Sequence, residues 1–104
     1  MVKNIESESD YDSIVKSGKV VVVDFYANWC GPCKVIGPKF EAMASEFKDA
    51  DFIKVDVDKL DAVASKESIQ AMPTFIVYKN GTKVETVVGA SEEKIREAVK
   101  KHTS

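Results

Sequence analysis

Hydrophobic residues recur along this chain with two different spacings, and the changes of spacing predict an alternation of strands and helices. Short runs of apolar and β-branched residues predict strands, whereas apolar residues three and four positions apart predict helices. Strands are predicted over Val2–Ile5, Val20–Ala27, Phe52–Val57, Thr74–Lys79 and Lys83–Val88. Helices are predicted from a Ser7 cap to Gly18, over Cys33 to about Phe47, over about Lys59 to Glu67, and after a Ser91 cap.

The order of these elements, β-α-β-α-β-α-β-β-α, predicts an α/β fold. Strands that alternate with helices pair in parallel through right-handed crossovers. The valines from Val20 to Val23 indicate a central strand covered on both faces, and Asn80-Gly81 predicts a hairpin that adds an antiparallel pair. We therefore predict one domain over residues 1–104, with a central mixed sheet of five strands flanked by four helices.

Composition narrows the classes of partner. The formal net charge is −2, and Arg96 is the only arginine, so recognition of phosphates and bases by arginine is not expected. We therefore expect no nucleic-acid partner. No apolar run is long enough to span a membrane, and the acidic N-terminus lacks the apolar segment of a secretory signal. These features predict a cytoplasmic protein with no membrane partner.

The two cysteines, Cys30 and Cys33, lie in the segment DFYANWCGPCK, where a strand is predicted to lead into a helix. As a structural staple they would close so short a loop that the expected stabilisation is only about 2 kcal/mol. As a zinc site they lack a second ligand pair, since the lone His102 falls in a tail that we expect to be solvated. A C-x-x-C pair at a strand–helix junction also fits a dithiol that cycles with a disulfide.

The placement of the pair supplies a physical reason for the redox interpretation. Cys30 falls at the helix N-terminus, where unpaired amides and the helix dipole favour a thiolate. Pro32 has no amide to lose in a first turn, and Gly31 lets a partner approach the backbone closely. Cys33, one turn further and predicted to be less accessible, can attack the mixed disulfide that Cys30 forms.

The chain resembles the thioredoxin family over essentially its whole length. The resemblance implies the thioredoxin fold and a dithiol–disulfide oxidoreductase that reduces protein disulfides through Cys30 and Cys33 and takes part in cell redox homeostasis. Tyr26 departs from the pattern, because many members carry a second tryptophan there. The matching segments are DFYANWCGPCK, Pro38, FIKVDVD at 52–58, AMPTF at 71–75, KNGTKV at 79–84 and VGA at 88–90.

The resemblance also implies the partners of such a protein. It implies a monomer and an electron carrier without a bound cofactor or metal, recharged by NADPH through a flavin-dependent thioredoxin reductase. Its expected clients include peroxiredoxins, ribonucleotide reductase and methionine sulfoxide reductase. One alternative is a binding subunit on the same scaffold that acts independently of redox chemistry. Another is an oxidant or isomerase, which the Gly-Pro pair between the cysteines disfavours, since isomerases of this kind carry Gly-His.

Two charged residues are candidates for supporting the cysteines. Asp24 interrupts the apolar strand VVVVDFYA, and burial should raise the pKa of its carboxyl group. It is either a structural residue satisfied by hydrogen bonds or, as the resemblance suggests, the proton acceptor for Cys33, through a water. Lys54 matches a lysine that lies near this carboxylate in the family, although from sequence alone it could be an ordinary surface charge.

The remaining candidates would form a surface for client proteins. The proline of Met72-Pro73 could simply begin a strand, but the resemblance implies a cis peptide bond beside the disulfide. Trp29 is either a core residue or an exposed platform. Asp56, Asp58 and Asp61 lack the Ca²⁺-loop pattern and are expected to be exposed charges. The predicted apolar patch comprises Trp29, Gly31, Pro32, Val57, Met72, Pro73, Val88, Gly89 and Ala90.

Overall fold

The computed structural model describes residues 2–103, over which five strands and four helices follow one another in the predicted order. The strands are β1 (Val2–Asn4), β2 (Val20–Tyr26), β3 (Ala50–Asp56), β4 (Thr74–Lys79) and β5 (Thr82–Val88). The helices are α1 (Glu8–Val15), α2 (Gly31–Glu46), α3 (Asp61–Lys66) and α4 (Glu92–Thr103).

The strands form one mixed sheet in the order β1-β3-β2-β4-β5. β3 is parallel to both β1 and β2, whereas β4 is antiparallel to β2 and to β5. The crossover through α2 accounts for the parallel β2–β3 pair, and the Asn80-Gly81 turn accounts for the antiparallel β4–β5 pair. The mixed five-stranded sheet predicted from the sequence is therefore confirmed.

Alternation along β2 divides the interior into two cores. Val22 faces a core that includes residues of α2 and α4, whereas Val21, Val23 and Phe25 face a core that includes residues of α1 and α3. Since both faces of β2 are covered, the strand is apolar at almost every position. Asp24, on the face shared with Val22, is the exception.

Several predicted boundaries shift by a few residues. The Ser7 hydroxyl caps α1 by accepting a hydrogen bond from the N–H of Asp10 at 3.1 Å, as expected. The helix stops at Val15, before the predicted end at Gly18, whose φ of +93° belongs to the turn that leads into β2. β3 begins at Ala50, two residues before the predicted Phe52.

The C-terminal helix corrects one expectation. The Ser91 hydroxyl accepts a hydrogen bond from the N–H of Lys94 at 3.2 Å, as predicted for a cap. The helix continues to Thr103, so His102 is not a solvated tail residue: its side chain is 15% exposed and its Nε2 lies 3.7 Å from Glu85 Oε1. No helix within residues 2–103 is long and apolar enough to cross a membrane.

Candidate active site

The two cysteines are joined by a disulfide at the beginning of α2. Their Cα atoms lie 5.3 Å apart. Cys30 is the N-cap residue, and its Sγ accepts a hydrogen bond from the N–H of Cys33 at 3.2 Å. The helix therefore begins at Gly31, two residues earlier than predicted, and continues through Pro38 to Glu46. A helix amide aimed at the sulfur of Cys30 is the arrangement that stabilises a thiolate.

The exposure of the two cysteines differs from the prediction. Cys30 and Cys33 are each 5% exposed in this disulfide-bonded structure, so Cys30 is not the more accessible residue. The bond ties both sulfurs into one buried cluster with Ala27, against which Tyr26 and Met72 pack. The neighbouring Gly31 and Pro32 are exposed. Little of either cysteine is therefore accessible to a reaction partner in the oxidised protein.

Asp24 is buried on β2, two residues before Tyr26, without a compensating hydrogen bond. Its side chain is 1% exposed, and neither carboxylate oxygen has a hydrogen-bond partner within residues 2–103. Burial raises the pKa of this carboxyl group from 3.8 to about 7, while the charge of Lys54 opposes the rise. The hydrogen bonds that a purely structural role of Asp24 would require are not made by any group within residues 2–103. A carboxyl group of this kind can gain or lose a proton near neutral pH.

Lys54 lies opposite Asp24 in the register of β2 and β3. Its ammonium is 4.6 Å from the centroid of the Tyr26 ring. Lys54 is half-buried and lines a cavity of about 610 Å³ together with Cys33 and Tyr26. Burial raises the pKa of the Tyr26 phenol, and the nearby Asp56 and Asp24 raise it further.

Trp29 is an exposed platform rather than a core residue. Its side chain is 68% exposed, and its indole Nε1–H donates a hydrogen bond to Asp58 Oδ2 at 2.9 Å. The expectation that Asp56 is exposed was wrong, because Asp56 is 7% exposed and its Oδ1 accepts the N–H groups of Asp58 at 2.9 Å and Lys59 at 3.4 Å. An aspartate that accepts backbone amides two and three residues later organises a turn. That turn presents Asp58 to Trp29.

Neither Asp56 nor Asp58 was expected to have a structural role, although the spacing in DVDK is a recognisable turn signal. Within residues 2–103, no group of three or more His, Cys, Asp or Glu side chains is arranged to hold a metal ion.

The loop before β4 lies beside the cysteines. The Met72–Pro73 peptide bond is cis, which confirms the prediction made from the resemblance. The Pro73 carbonyl accepts the N–H of Gly89 at 2.9 Å, and Met72 packs against the cysteine cluster. Gly89 has a φ of +104° and follows directly after the end of β5 at Val88.

The predicted patch draws on four segments of the chain, 29–32, 57, 72–73 and 88–90, of which Val57 and Met72 pack against the cysteine cluster. Val57 is half-buried against the cysteine cluster, and its N–H donates to the carbonyl of Tyr26 at 2.9 Å. Val88 is 62% exposed, and Ala90 is exposed as well.

Comparison with known proteins assigns the family. The family model described as Thioredoxin matches residues 2–101. The chain belongs to the thioredoxin family. Thioredoxin-1 of Schizosaccharomyces pombe is 51% identical over 100 residues, which cover 96% of this chain and 97% of that protein. Thioredoxin 1 of Plasmodium falciparum is 44% identical over 104 residues, which cover all of both chains.

The fold agrees with that assignment. A crystal structure of Malassezia sympodialis thioredoxin is 44% identical and superposes with a TM-score of 0.94, covering 99% of this chain and 94% of that one. This thioredoxin-family protein is a dithiol–disulfide oxidoreductase, with Cys30 and Cys33 as its disulfide pair. A binding role independent of redox chemistry is not favoured, since the cysteine pair that the chemistry requires is present.

Proposed function

We propose that this thioredoxin reduces client disulfides with Cys30 as the attacking thiol and Cys33 as the resolving thiol. The observation that carries this order is the hydrogen bond at 3.2 Å from the N–H of Cys33 to Cys30 Sγ at the N-cap of α2. The same amide would stabilise a thiolate at Cys30 in the reduced protein. Cys33 lies within the first turn, so its sulfur is not at the N-cap of the helix.

The exchange then proceeds in two balanced steps. The Cys30 thiolate attacks one sulfur of the client disulfide, forms a mixed disulfide and displaces the other client sulfur as a thiolate. The Cys33 thiolate next attacks Cys30 Sγ and displaces the first client sulfur. Two electrons pass to the client, which leaves as a dithiol after taking up protons, and the Cys30–Cys33 disulfide forms.

We assign to Asp24 the role of proton acceptor: through a water, it takes the proton of the Cys33 thiol and leaves the thiolate. Its burial and its pKa of about 7 support this role, and so does its position on the face of β2 that α2 covers. Lys54, whose charge opposes the rise in the pKa of Asp24, tunes the same step. Gly31 and Pro32 complete the first turn that holds the two sulfurs in reach.

The exposed patch around the disulfide is the proposed client surface. Within residues 2–103 the backbone of Met72 makes no hydrogen bond, so its N–H and carbonyl are open to an extended client segment. Pairing of this kind is strand addition, in which the client is recognised by its backbone and shape rather than by particular side chains. The residues assigned to client binding are Trp29, Val57, Met72, Pro73, Val88, Gly89 and Ala90.

We further propose how the protein is recharged and where it acts. NADPH supplies the electrons through a flavin-dependent thioredoxin reductase, and no cofactor stays bound to this chain. Residues 1–104 form one domain that acts as a monomeric electron carrier in the cytoplasm. Clients would include peroxiredoxins, ribonucleotide reductase and methionine sulfoxide reductase. A solved structure concerning thiol resolution in a yeast mitochondrial 1-Cys peroxiredoxin via glutathione/thioredoxin systems, 29% identical with a TM-score of 0.92, supports the first of these.

The test is the reduction of insulin disulfides coupled to NADPH and thioredoxin reductase. We expect turnover by the unaltered protein and none by Cys30→Ser. Cys33→Ser, a matched substitution of the same size, should form mixed disulfides with insulin that persist, because the resolving thiol is missing. Persistent mixed disulfides with Cys30→Ser instead would reverse the two roles, and insulin reduction by Cys30→Ser would contradict the proposal.

A further inference from the structure

Four side chains lie together on the face of β2 and β3 that carries the cysteine site. Asp24 and Tyr26 alternate onto one face of β2, and the parallel register places Lys54 opposite Asp24 and Asp56 opposite Tyr26. Lys54 therefore has two potential partners for its ammonium: the carboxyl group directly opposite, and the aromatic ring two residues further along β2.

The ammonium of Lys54 lies against the ring. Its distance of 4.6 Å from the ring centroid is within the range of a cation–π interaction. Within residues 2–103, Lys54 forms no ion pair with Asp24, whose carboxylate oxygens have no hydrogen-bond partner. Lys54 thus acts on Asp24 through space, and the strength of that action depends on where the flexible lysine side chain is held.

The Tyr26 ring is placed to do the holding. It packs against the cluster of Ala27, Cys30 and Cys33, and it lines the cavity that Lys54 and Cys33 share. A ring that is fixed on one side by the buried disulfide offers its face to a cation at a defined place. Removing the ring removes the cation–π contact that fixes the position of the flexible lysine side chain.

We propose that Tyr26 is a positioning residue that fixes the Lys54 ammonium and thereby sets how strongly Lys54 acts on Asp24. The consequence of this positioning for client release rests on the proposed role of Asp24. The electrostatic coupling itself involves only the side chains of Tyr26, Lys54 and Asp24. A phenylalanine or tryptophan ring would offer a comparable face to a cation. The relevant property is therefore the aromatic face rather than the phenol hydroxyl.

Other charged groups surround the three residues, and these groups are the same in all the proteins compared in the test. On the side of β2 that pairs with β4, the register places Phe75, which does not titrate, opposite Asp24. α4 contributes Ile95, Ala98 and Val99 to the core on this face. Cys33 is held in the disulfide of the oxidised protein and does not titrate. Apart from Lys54, the charged side chains lining the two cavities that Tyr26 borders are Glu6, Lys34, Glu41, Asp56 and Lys59.

The test is a carboxyl-carbon NMR titration of Asp24 in the full-length oxidised protein, with the signal assigned by its loss in Asp24→Asn. Four proteins form a double-mutant cycle: unaltered, Tyr26→Leu, Lys54→Met and the double variant. The cycle is needed because removing the ring also admits water, which by itself lowers the midpoint of Asp24 in either background. Tyr26→Phe and Tyr26→Trp serve as conservative controls.

Tyr26→Leu shifts the titration midpoint of Asp24 by one amount when Lys54 is present and by another in the Lys54→Met background. We expect the first shift to lie above the second, toward higher pH, by roughly 0.3–1 pH units. Tyr26→Phe and Tyr26→Trp should preserve the midpoint, since both keep an aromatic face. An equal Tyr26→Leu shift in both backgrounds, or a more downward shift with Lys54 present, would overturn the proposal. Should Tyr26→Leu not fold, Tyr26→Met, which also lacks a ring, replaces it in the cycle.

A second measurement separates this inference from the role of Asp24. The rate at which client is released from the mixed disulfide is followed against pH for the same variants and for Asp24→Asn. If Asp24→Asn retains the pH dependence, the proposed role of Asp24 fails while the NMR coupling still stands. If the NMR cycle shows no coupling, the role of Tyr26 fails even where the pH dependence of release requires Asp24.

Discussion

Two buried polar sites on opposite faces of the same sheet differ in how their polar atoms are satisfied. On the face covered by α1 and α3, the hydroxyl groups of Tyr11 and Tyr78 lie 2.8 Å apart and hydrogen-bond to each other. On the face covered by α2 and α4, Asp24 is buried to a similar degree, but its oxygens have no hydrogen-bond partner within residues 2–103. The satisfied pair stabilises the fold, whereas the unsatisfied carboxyl group destabilises it.

The same difference separates the two sites in their proton chemistry. Burial raises the pKa of both tyrosines above its ordinary value, and because tyrosine is neutral when protonated, both hydroxyls stay uncharged at physiological pH. Burial also raises the pKa of Asp24, but to about 7, where its charge changes within the physiological range. Of these two sites, only the carboxyl group of Asp24 takes up or releases a proton near neutral pH.

The largest expected effect concerns stability as a function of pH. In the unfolded chain Asp24 loses its proton near pH 4 and in the folded chain near pH 7, so the free energy of unfolding falls as pH rises between these values. Asp24→Asn removes this loss. We expect the variant to be more stable than the unaltered protein by roughly 2–4 kcal/mol at pH 8, with a much smaller difference near pH 4.

Urea unfolding of the oxidised proteins at pH 4, 6 and 8 measures this difference. Asp49→Asn, which changes an exposed aspartate, is the matched control and should leave stability unchanged at each pH. A gain for Asp24→Asn that is the same at all three pH values would mean that the buried charge is not its cause.

The second prediction concerns the rate of client release. Asp24→Asn should slow resolution of the mixed disulfide by Cys33 roughly 10²-fold at pH 7, because the thiol loses its proton acceptor. Formation of the mixed disulfide by Cys30 should change far less. Rapid-mixing kinetics with a disulfide peptide measures both steps, again with Asp49→Asn as the control. Equal slowing of the two steps would argue against a specific role in resolution.

The third prediction tests the satisfied pair. Tyr78→Phe removes the hydroxyl that lies 2.8 Å from the buried hydroxyl of Tyr11, so we expect a loss of about 1–3 kcal/mol in the free energy of unfolding. The loss should be similar from pH 4 to pH 8, and insulin reduction should be unchanged. The double variant Tyr11→Phe/Tyr78→Phe should recover part of the loss, since no hydroxyl is then left unpaired. Impaired insulin reduction by the folded single variant would remove the distinction between the two sites.

The smallest expected effect concerns the exposed Trp29. Asp58→Ala removes the acceptor of the indole N–H, and we expect the KM for an insulin client to rise roughly 2–5-fold with kcat little changed. Asp61→Ala, an exposed aspartate on α3, should leave KM unchanged. A lower kcat with constant KM would place Asp58 in the chemistry rather than in client binding.

Much of the fold could be predicted because local patterns and global topology agree. The valines of β2, the apolar stripe of α2 and the Asn80-Gly81 turn each specify one element, and their order specifies the crossovers. The cis bond before Pro73 could not come from these patterns, since most bonds to proline are trans, and it followed only from the resemblance.

The errors in the site have local physical causes. Asp56 was expected to be exposed, but it is buried because backbone amides of the following turn satisfy its carboxylate. The helix begins at Gly31 rather than Cys33 because Cys30 Sγ itself serves as the cap, a role that hydrophobic spacing does not reveal. The contact of Lys54 with Tyr26 depends on register between strands far apart in sequence, which one-dimensional periodicity cannot specify.

The alternation of β2 between two cores has a consequence for how this sequence can vary. Parity alone decides that position 24 points toward α2 and position 25 toward α1 and α3. Deleting or adding a single residue between Val20 and Val23 would turn the carboxylate into the wrong interior and bring phenylalanine under the disulfide. Insertions and deletions should therefore be tolerated in the turn that precedes this strand, but should abolish the chemistry when they fall within it.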